Sequence, residues 1–211
     1  MNIVYNCDCM EFMKTIDDNY FELAIVDPPY GIGNFSQGHG IHEYEWNNDI
    51  PDQSYFSELY RISKNQIIWG ANYYNCFDKK GGAIIWDKEN PHPNMSRCEI
   101  ASNSFYKKVD YVNIRHYGFM GEKNFHPCGK PIALYKWLLE NYAKENDKIF
   151  DSHVGSGSSR IAAYELGFDF VGCELDKDYW EAQEKRFTEF KKKFHNEFYI
   201  DRENSDLFKN I

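Results

Sequence analysis

The chain has no run of apolar residues long enough to cross a bilayer, and no basic stretch leading into an apolar core near its first residue. These two absences exclude a membrane-spanning class and set the expectation of a soluble, cytoplasmic protein with no membrane partner. C-x-x-C pairs are also missing. The six cysteines are scattered, with Cys7 and Cys9 two apart, which excludes the common zinc frameworks and fits reduced intracellular thiols. Basic residues are outnumbered, 24 against 33 acidic ones, for a formal charge of −9. A chain this acidic does not coat nucleic acid through bulk electrostatics, so any grip on a polyanion must be local and lost early as salt rises. Internal repeats and low-complexity tracts are absent too. What the chain does have is aromatic residues, 18% of the total, enough to serve stacking as well as packing. With 211 residues it reads as one domain, 1–211, able to bury a sizeable core.

Short β-rich runs alternate with longer helical patterns. Strands are expected at Ile3–Tyr5, Glu22–Asp27, Gln66–Trp69, Ala83–Trp86, Tyr111–Tyr117, Lys148–Asp151 and Asp169–Glu174. Helices are expected at Met10–Ile16, Asp52–Ser63, Pro131–Lys144, Ser158–Leu166 and Tyr179–Phe194. This alternation predicts an α/β fold, a mixed, mostly parallel sheet with helices on both faces. Such sheets bind ligands at the carboxyl ends of their strands, near the switch in strand order. Two stretches break the pattern. Residues 31–48 are rich in glycine, histidine and asparagine and read as a lid loop, while 89–124 is polar and reads as irregular. On the last helix, Phe187, Phe190, Phe194 and Phe198 recur at helical spacing and read as a core-facing stripe, with Lys191–Lys193 on a solvated face.

Asp27-Pro28-Pro29-Tyr30 follows the apolar run Leu23–Val26 directly. A strand ending this way presents a carboxylate, a proline-held carbonyl and an aromatic face at one sheet edge. Those are the groups needed to hold an exocyclic amino group on a flat base. A second feature is Asp151-Ser152-His153-Val154-Gly155-Ser156-Gly157-Ser158-Ser159, which joins a strand to a helix start. Bare backbone at a helix N-terminus accepts a ligand closely. Arg160 stands where a dinucleotide fingerprint wants its third glycine, and no lysine follows Gly157 as a P-loop requires. Glu174, at the end of the next strand, takes the position that faces a ribose in Rossmann-like units. A glycine loop without phosphate chemistry and a ribose acid together suit a nucleoside cofactor lacking phosphates, such as S-adenosyl-L-methionine (AdoMet). His39 and His42 have ligand spacing, but lack a third ligand, and no metal is expected.

In this combination and order the chain resembles the DNA amino-methyltransferases, which modify adenine N6 or cytosine N4, in their permuted β-type arrangement, and small methylases of phages and mobile elements in particular. The resemblance implies a Rossmann-like AdoMet-dependent methyltransferase fold of bacterial, phage or mobile-element origin. It implies that Asp8 and the Cys9 backbone address the cofactor adenine, and that Ile67–Tyr74 walls the target-base pocket. His126-Pro127-Cys128-Gly129-Lys130-Pro131 is similar to the family's HPTQKP element, which places Lys130 near the methionine end of the cofactor. Asp151–Ser159 is similar to its DPFxGSGTT loop, with Ser152 and His153 in place of Pro and Phe. The implied cofactor set is therefore Asp8, Cys9, Lys130, Asp151, His153, Gly155, Ser156, Gly157, Ser158 and Glu174. Asp27, Pro28, Pro29 and Tyr30 are the implied catalytic set, acting on a flipped base.

The 89–124 stretch is the expected target-recognition insertion, with Arg97, Lys107, Lys108, Arg115 and Lys123 as the local basic group for DNA and Glu99, Ser102 and Ser104 as alternative members of the base pocket. A homodimer would enlarge so small a reading surface. Asp27 in place of serine leans towards adenine. Cytosine N4, an RNA or protein amide, and a non-catalytic binding module that keeps the fold are the competing readings.

Overall fold

The computed structural model describes residues 1–32, 35–37, 40–42, 49–77, 81–89, 96–116 and 129–207, with side chains described outside 35–42 and up to 195. In chain order the elements are β1 (Asn2–Asn6), α1 (Cys9–Met13), β2 (Phe21–Val26), β3 (Phe35–Gln37), β4 (Gly40–His42), α2 (Gln53–Ile62), β5 (Ser63–Trp69), α3 (Ala71–Tyr74), β6 (Gly82–Asp87), β7 (Cys98–Asn103), β8 (Val109–Asn113), α4 (Ile132–Tyr142), β9 (Lys148–Asp151), α5 (Ser158–Glu165), β10 (Asp169–Glu174) and α6 (Lys177–Leu207). Local chemistry accounts for the helix starts. Asp8 accepts from Met10 N at 2.7 Å to cap α1, and Asp52 accepts from Ser54 N at 2.8 Å to cap α2, caps of a kind worth about 1 kcal/mol each.

Eight strands form one sheet in the order β1-β10-β9-β2-β5-β7-β6-β8. The run from β1 to β5 is parallel, β7 is antiparallel to both its neighbours, and β8 is parallel to β6. β3 and β4 make a separate antiparallel pair. Alternation along the strands supplies two cores. Leu23, Ile25, Ile67, Trp69, Ile149 and Phe170 face α4 and α5 on one side. Phe21, Ala24, Val26, Ile68 and Phe150 face Met13 of α1 and Tyr55, Phe56, Leu59 and Ile62 of α2 on the other.

β2 and β9 are the central neighbours, paired at Leu23↔Ile149 and Ala24↔Phe150. From β9 the chain proceeds through α5 to β10 on one side of that pair; from β2 it proceeds through α2 to β5 on the other. That divergence is the switch point, and it opens a crevice at the carboxyl ends of β2 and β9.

The α/β architecture agrees with the sequence expectation, and two details correct it. Cys98–Asn103, expected to be irregular, is the strand β7, inserted between β5 and β6. Its polar residues hid it: Ser102 and Asn103 are buried, and the Asn103 side-chain Oδ1 accepts from Phe105 N at 2.9 Å. The strand expected at Tyr111–Tyr117 is β8, Val109–Asn113, with Tyr117 outside the described residues. Within 31–48, the stretch expected to form a lid, residues 35–37 and 40–42 form the β3–β4 pair.

Arg160 spans β1 and α6. Its guanidinium donates to Asn2 Oδ1 at 2.8 Å, Gln183 Oε1 at 2.9 Å and Glu184 Oε1 at 2.6 Å, over the Phe187 ring. Phe187 is buried, and Phe190 and Phe194 meet Tyr164 edge-on, in keeping with a packed stripe. Among the described residues no helix is long and apolar enough to cross a membrane.

Gly172 in β10 ties the sheet to the glycine loop. A Cβ there would lie 2.3 Å from Val154 Cγ2 and 3.1 Å from the Asp151 carbonyl. Gly172→Ala is therefore expected to cost about 1–3 kcal/mol, the range for an overpacked core, read as a lower denaturation midpoint in guanidinium.

Candidate active site

The tetrapeptide leaves the end of β2 and lies at the switch-point crevice. Asp27 is surrounded by donors. The Tyr30 hydroxyl donates to its Oδ1 at 2.6 Å, and the Lys130 ammonium contacts its Oδ2. Lys130 also lies 3.0 Å from Glu99 Oε2, and Lys88 pairs with the other Glu99 oxygen. The Tyr30 hydroxyl reaches Glu99 Oε2 at 3.2 Å. Two carboxylates and two ammoniums thus form a neutral, largely buried cluster.

The surroundings set their ionisation. Burial, helped by Glu99, raises Asp27 above the ordinary aspartate value despite Lys130. Burial also opposes a charge on Glu99, but Lys130 and Lys88 outweigh it and hold that carboxyl down to about 2. Burial, Asp27 and Glu99 all keep the Tyr30 phenol protonated, so it acts as a donor.

The two prolines present their carbonyls to one partner. The Tyr74 hydroxyl donates to Pro28 O at 2.5 Å and Pro29 O at 2.8 Å. Tyr30 stacks on Tyr73 with centroids 4.9 Å apart and 18° between planes. Gly70, at φ +74°, makes room for that ring: a Cβ there would stand 2.4 Å from Tyr30 Cε1.

On the other side of the crevice, β9 delivers the glycine loop. Asp151 accepts from Ser159 Oγ at 2.6 Å and His153 N at 3.0 Å, which folds the loop back over its own strand. Burial pushes its carboxyl up to about 7. Gly155 and Gly157 both take positive φ, at +51° and +79°. Glu174 Oε2 accepts from Gly155 N at 2.8 Å and Oε1 from Asp176 N at 3.0 Å, so the acid at the end of β10 is locked onto the loop. Burial raises its carboxyl above the usual range. Ser152 Oγ bridges the Tyr55 hydroxyl and His153 Nδ1, at 2.7 and 2.8 Å, and burial draws the His153 imidazole down to about 4, so it is neutral at physiological pH.

One cavity of about 650 Å³ joins these two halves, within the roughly 300–1,000 Å³ usual for small-ligand sites. Its wall includes Asp27–Tyr30 on one side and Ser152–Ser156 with Glu174 on the other, and Asp8, Cys9 and Lys130 also line it. Gly157 and Ser158 lie outside its lining, at the start of α5. Asp8 is at the same time the cap of α1. Lys130, expected near the methionine end of a cofactor, has its ammonium on Asp27 and Glu99.

The expected basic group is divided. Arg97 directly precedes β7 and Arg115 follows β8, at the edge where the parallel strands end, as does Asp27. Lys107 and Lys108 lie in the β7–β8 connection at the opposite edge, because β7 runs against its neighbours. Lys108 pairs there with Asp110 at 3.0 Å. Lys123 and His126–Cys128 lie outside the described residues, as does His39. Among the described residues no group of His, Cys, Asp or Glu is placed to hold a metal ion. Sequence reasoning missed Lys88 and the role of Tyr74. Tyr74 lies within Ile67–Tyr74, the segment read as the base-pocket wall; a lone lysine after a strand carries no signal.

Comparison with known proteins shows what the chain is similar to. Residues 85–185 match the N6/N4 methylase family model, described as DNA methylase. The chain is 23% identical over 248 aligned positions to the type II methyltransferase M2.MboI of Moraxella bovis, covering 92% of this chain and 90% of that one. Among solved structures, the M1.HpyAVI–SAM complex superposes with a TM-score of 0.61 at 20% identity, over 88% of this chain and all of that one. PvuII DNA methyltransferase, described as cytosine-N4-specific, superposes at 0.59 and 14% identity, over 89% and 86% of the two chains. The fold is that of the AdoMet-dependent DNA methyltransferases, and the resemblance to the N6/N4 DNA methylases read from the motifs is borne out.

Asp151 yields a pH test. Its folded carboxyl titrates near 7, above the roughly 3.9 of an unfolded aspartate, so its stabilising contribution is complete below about pH 4 and is lost as pH rises through 7. Asp151→Asn does not titrate. The melting temperature of the variant relative to wild type is therefore expected to climb between about pH 4 and 7 and then level off. His153 titrates in both proteins and cancels in that difference.

Proposed function

We propose that this chain transfers a methyl group from AdoMet to the N6 amino group of adenine in DNA. The observation that carries the reading is the single cavity with Asp27 and Tyr30 at one side and the glycine loop and Glu174 at the other. The residues present suit this cofactor. Glu174 is a carboxylate aimed into the cavity wall at the loop, where a ribose needs an acceptor. The glycine loop offers bare backbone without the lysine that phosphates demand.

The bound cofactor supplies a methyl group already activated by its sulfonium. The chain has then to hold the amine and orient it for in-line attack. An adenine amino group is a weak nucleophile because its lone pair is delocalised into the ring. Asp27 and the Pro28 carbonyl accept its two hydrogens and draw the nitrogen towards sp³ geometry. The Pro28 oxygen retains a lone pair beside the one that Tyr74 uses. Tyr30, backed by Tyr73, is the platform for the extruded base, a contact worth roughly 1–3 kcal/mol. Asp27 acts as acceptor rather than strong base, since the amine becomes acidic only as the N–CH3 bond forms and the S–CH3 bond breaks, and the proton then released passes through Asp27 to solvent. No metal enters this scheme. Arg97 and Arg115 share the reacting edge and serve as phosphate contacts.

Cytosine N4 is the second reading, favoured by the fold shared with the cytosine-N4-specific PvuII enzyme. Mass spectrometry of nucleosides after incubation with labelled AdoMet and unmethylated DNA decides between them. 6-Methyladenine is the expected product, and 4-methylcytosine would reassign the base. Label confined to RNA or protein, or no label anywhere, would overturn the proposal. Asp27→Ala is expected to lower kcat about 10²–10³-fold, the range for loss of one preorganised electrostatic group. Glu174→Ala is expected to weaken AdoMet binding about tenfold or more by calorimetry.

The basic residues give a separate test by edge. Arg97→Ala and Arg115→Ala should each reduce the salt dependence of DNA binding by about one counterion, while Lys107→Ala and Lys108→Ala leave it as it is.

A further inference from the structure

Asp27 enters the proposed reaction as an acceptor, yet both its oxygens already hold donors: the Tyr30 hydroxyl at Oδ1 and the Lys130 ammonium at Oδ2. Each oxygen keeps a second lone pair, but an oxygen already bound to an ammonium is the weaker acceptor, so the amino group is held best where one of these donors yields. Tyr30 is held by the ring stack on Tyr73 and by the adjacent prolines. Lys130 sits on a flexible stem and already touches a second carboxylate, Glu99 Oε2, at 3.0 Å. It is the donor able to yield. Its side chain is 3% exposed, so an ammonium released from Asp27 with no other partner would be poorly compensated, at large cost. Glu99 removes that cost, and Lys88, paired with its far oxygen, holds Glu99 in place and balances its charge.

We propose that Lys130 is a placeholder on Asp27 and that Glu99 is the positioning residue that receives it when the target amino group arrives. The exchange involves hydrogen bonds only; no proton changes owner, and the four charges still sum to zero. In the free enzyme the ammonium favours the ionised form of Asp27 and keeps it aimed. In the complex the amine takes Oδ2 and Lys130 closes onto Glu99. This deepens the DNA amino-methylation reading and rests on it.

The charged and titratable groups facing Asp27 are Lys130, Glu99, Tyr30, Tyr74 and Asp151, with Lys88 behind Glu99. Glu99 and Lys130 act on it with opposite sign, which separates this role from a merely structural one. In pH profiles of kcat/KM for DNA methylation, Glu99→Gln should move the acid limb to lower pH, because a negative neighbour is gone. It should also lower the plateau about tenfold or more. Lys130→Met should move the same limb to higher pH. Glu99→Asp should recover part of the lost rate. An acid limb unmoved in Glu99→Gln, or no recovery with aspartate, overturns the proposal. Should Glu99→Gln fold poorly with Lys88 unpaired, the Glu99→Gln/Lys88→Met double variant keeps the cluster neutral and carries the same expectation.

Failure of the function reading is distinguishable. If wild type methylates no DNA, the Asp27 carboxyl is titrated directly by ¹³C NMR of aspartate-labelled protein, identified with Asp27→Asn. A resonance that titrates at lower pH in Glu99→Gln upholds the shared ion pair; one that does not move overturns it.

Discussion

The parallel pairing of β2 with β9 is the constraint on which the site depends. Leu23↔Ile149 and Ala24↔Phe150 set the register of the two central strands. Both strands therefore end at the same edge, one running out into Asp27 and the other ending in Asp151. The two segments are more than a hundred residues apart in the chain. Without that pairing neither feature has a partner. The tetrapeptide would be a proline-rich turn after a strand, and the glycine loop a turn before a helix.

The crevice so formed is electrostatically divided. On the β2 side, burial is offset by ion pairing: Asp27 and Glu99 share Lys130, and Lys88 completes the balance. On the β9 side, burial is offset by neutral donors: Ser159 and His153 N for Asp151, Gly155 N and Asp176 N for Glu174. Glu99, held by two ammoniums, is kept ionised, whereas burial raises Asp27, which has one ammonium and a carboxylate neighbour, and Asp151 and Glu174, which are held by dipoles. The first arrangement suits a group that must accept hydrogen bonds from an amine. The second suits a loop whose neutral backbone and hydroxyl groups surround a nucleoside.

Tyrosines and glycines complete the geometry at small scale. Tyr74 fixes the two proline carbonyls, Tyr73 backs Tyr30, and Gly70 gives that ring its space. These three residues belong to one short segment, β5 into α3, whose strand pairs with β2 along its length. The segment's nearness to the tetrapeptide follows directly from that pairing.

The sequence by itself determined the alternation of strands and helices, and with it the α/β class, because apolar periodicity is a local property of the chain. It also determined the two motifs, since Asp27–Tyr30 and Asp151–Ser159 are contiguous and their residue types state their chemistry. Glu174 was legible for the same reason, by its distance from the glycine loop. Only the tertiary structure decided that Cys98–Asn103 is a strand, because its stability comes from neighbours on both sides and not from its own polar residues. The same strand turns Glu99 towards Asp27 and carries Lys107 and Lys108 to the far edge, separating them from Arg97 and Arg115. The sharing of Lys130 between two carboxylates, and the arrival of Lys88, likewise depend on contacts between distant segments. Ion pairing of that kind is set by the packing of the sheet and leaves no periodic trace in the chain.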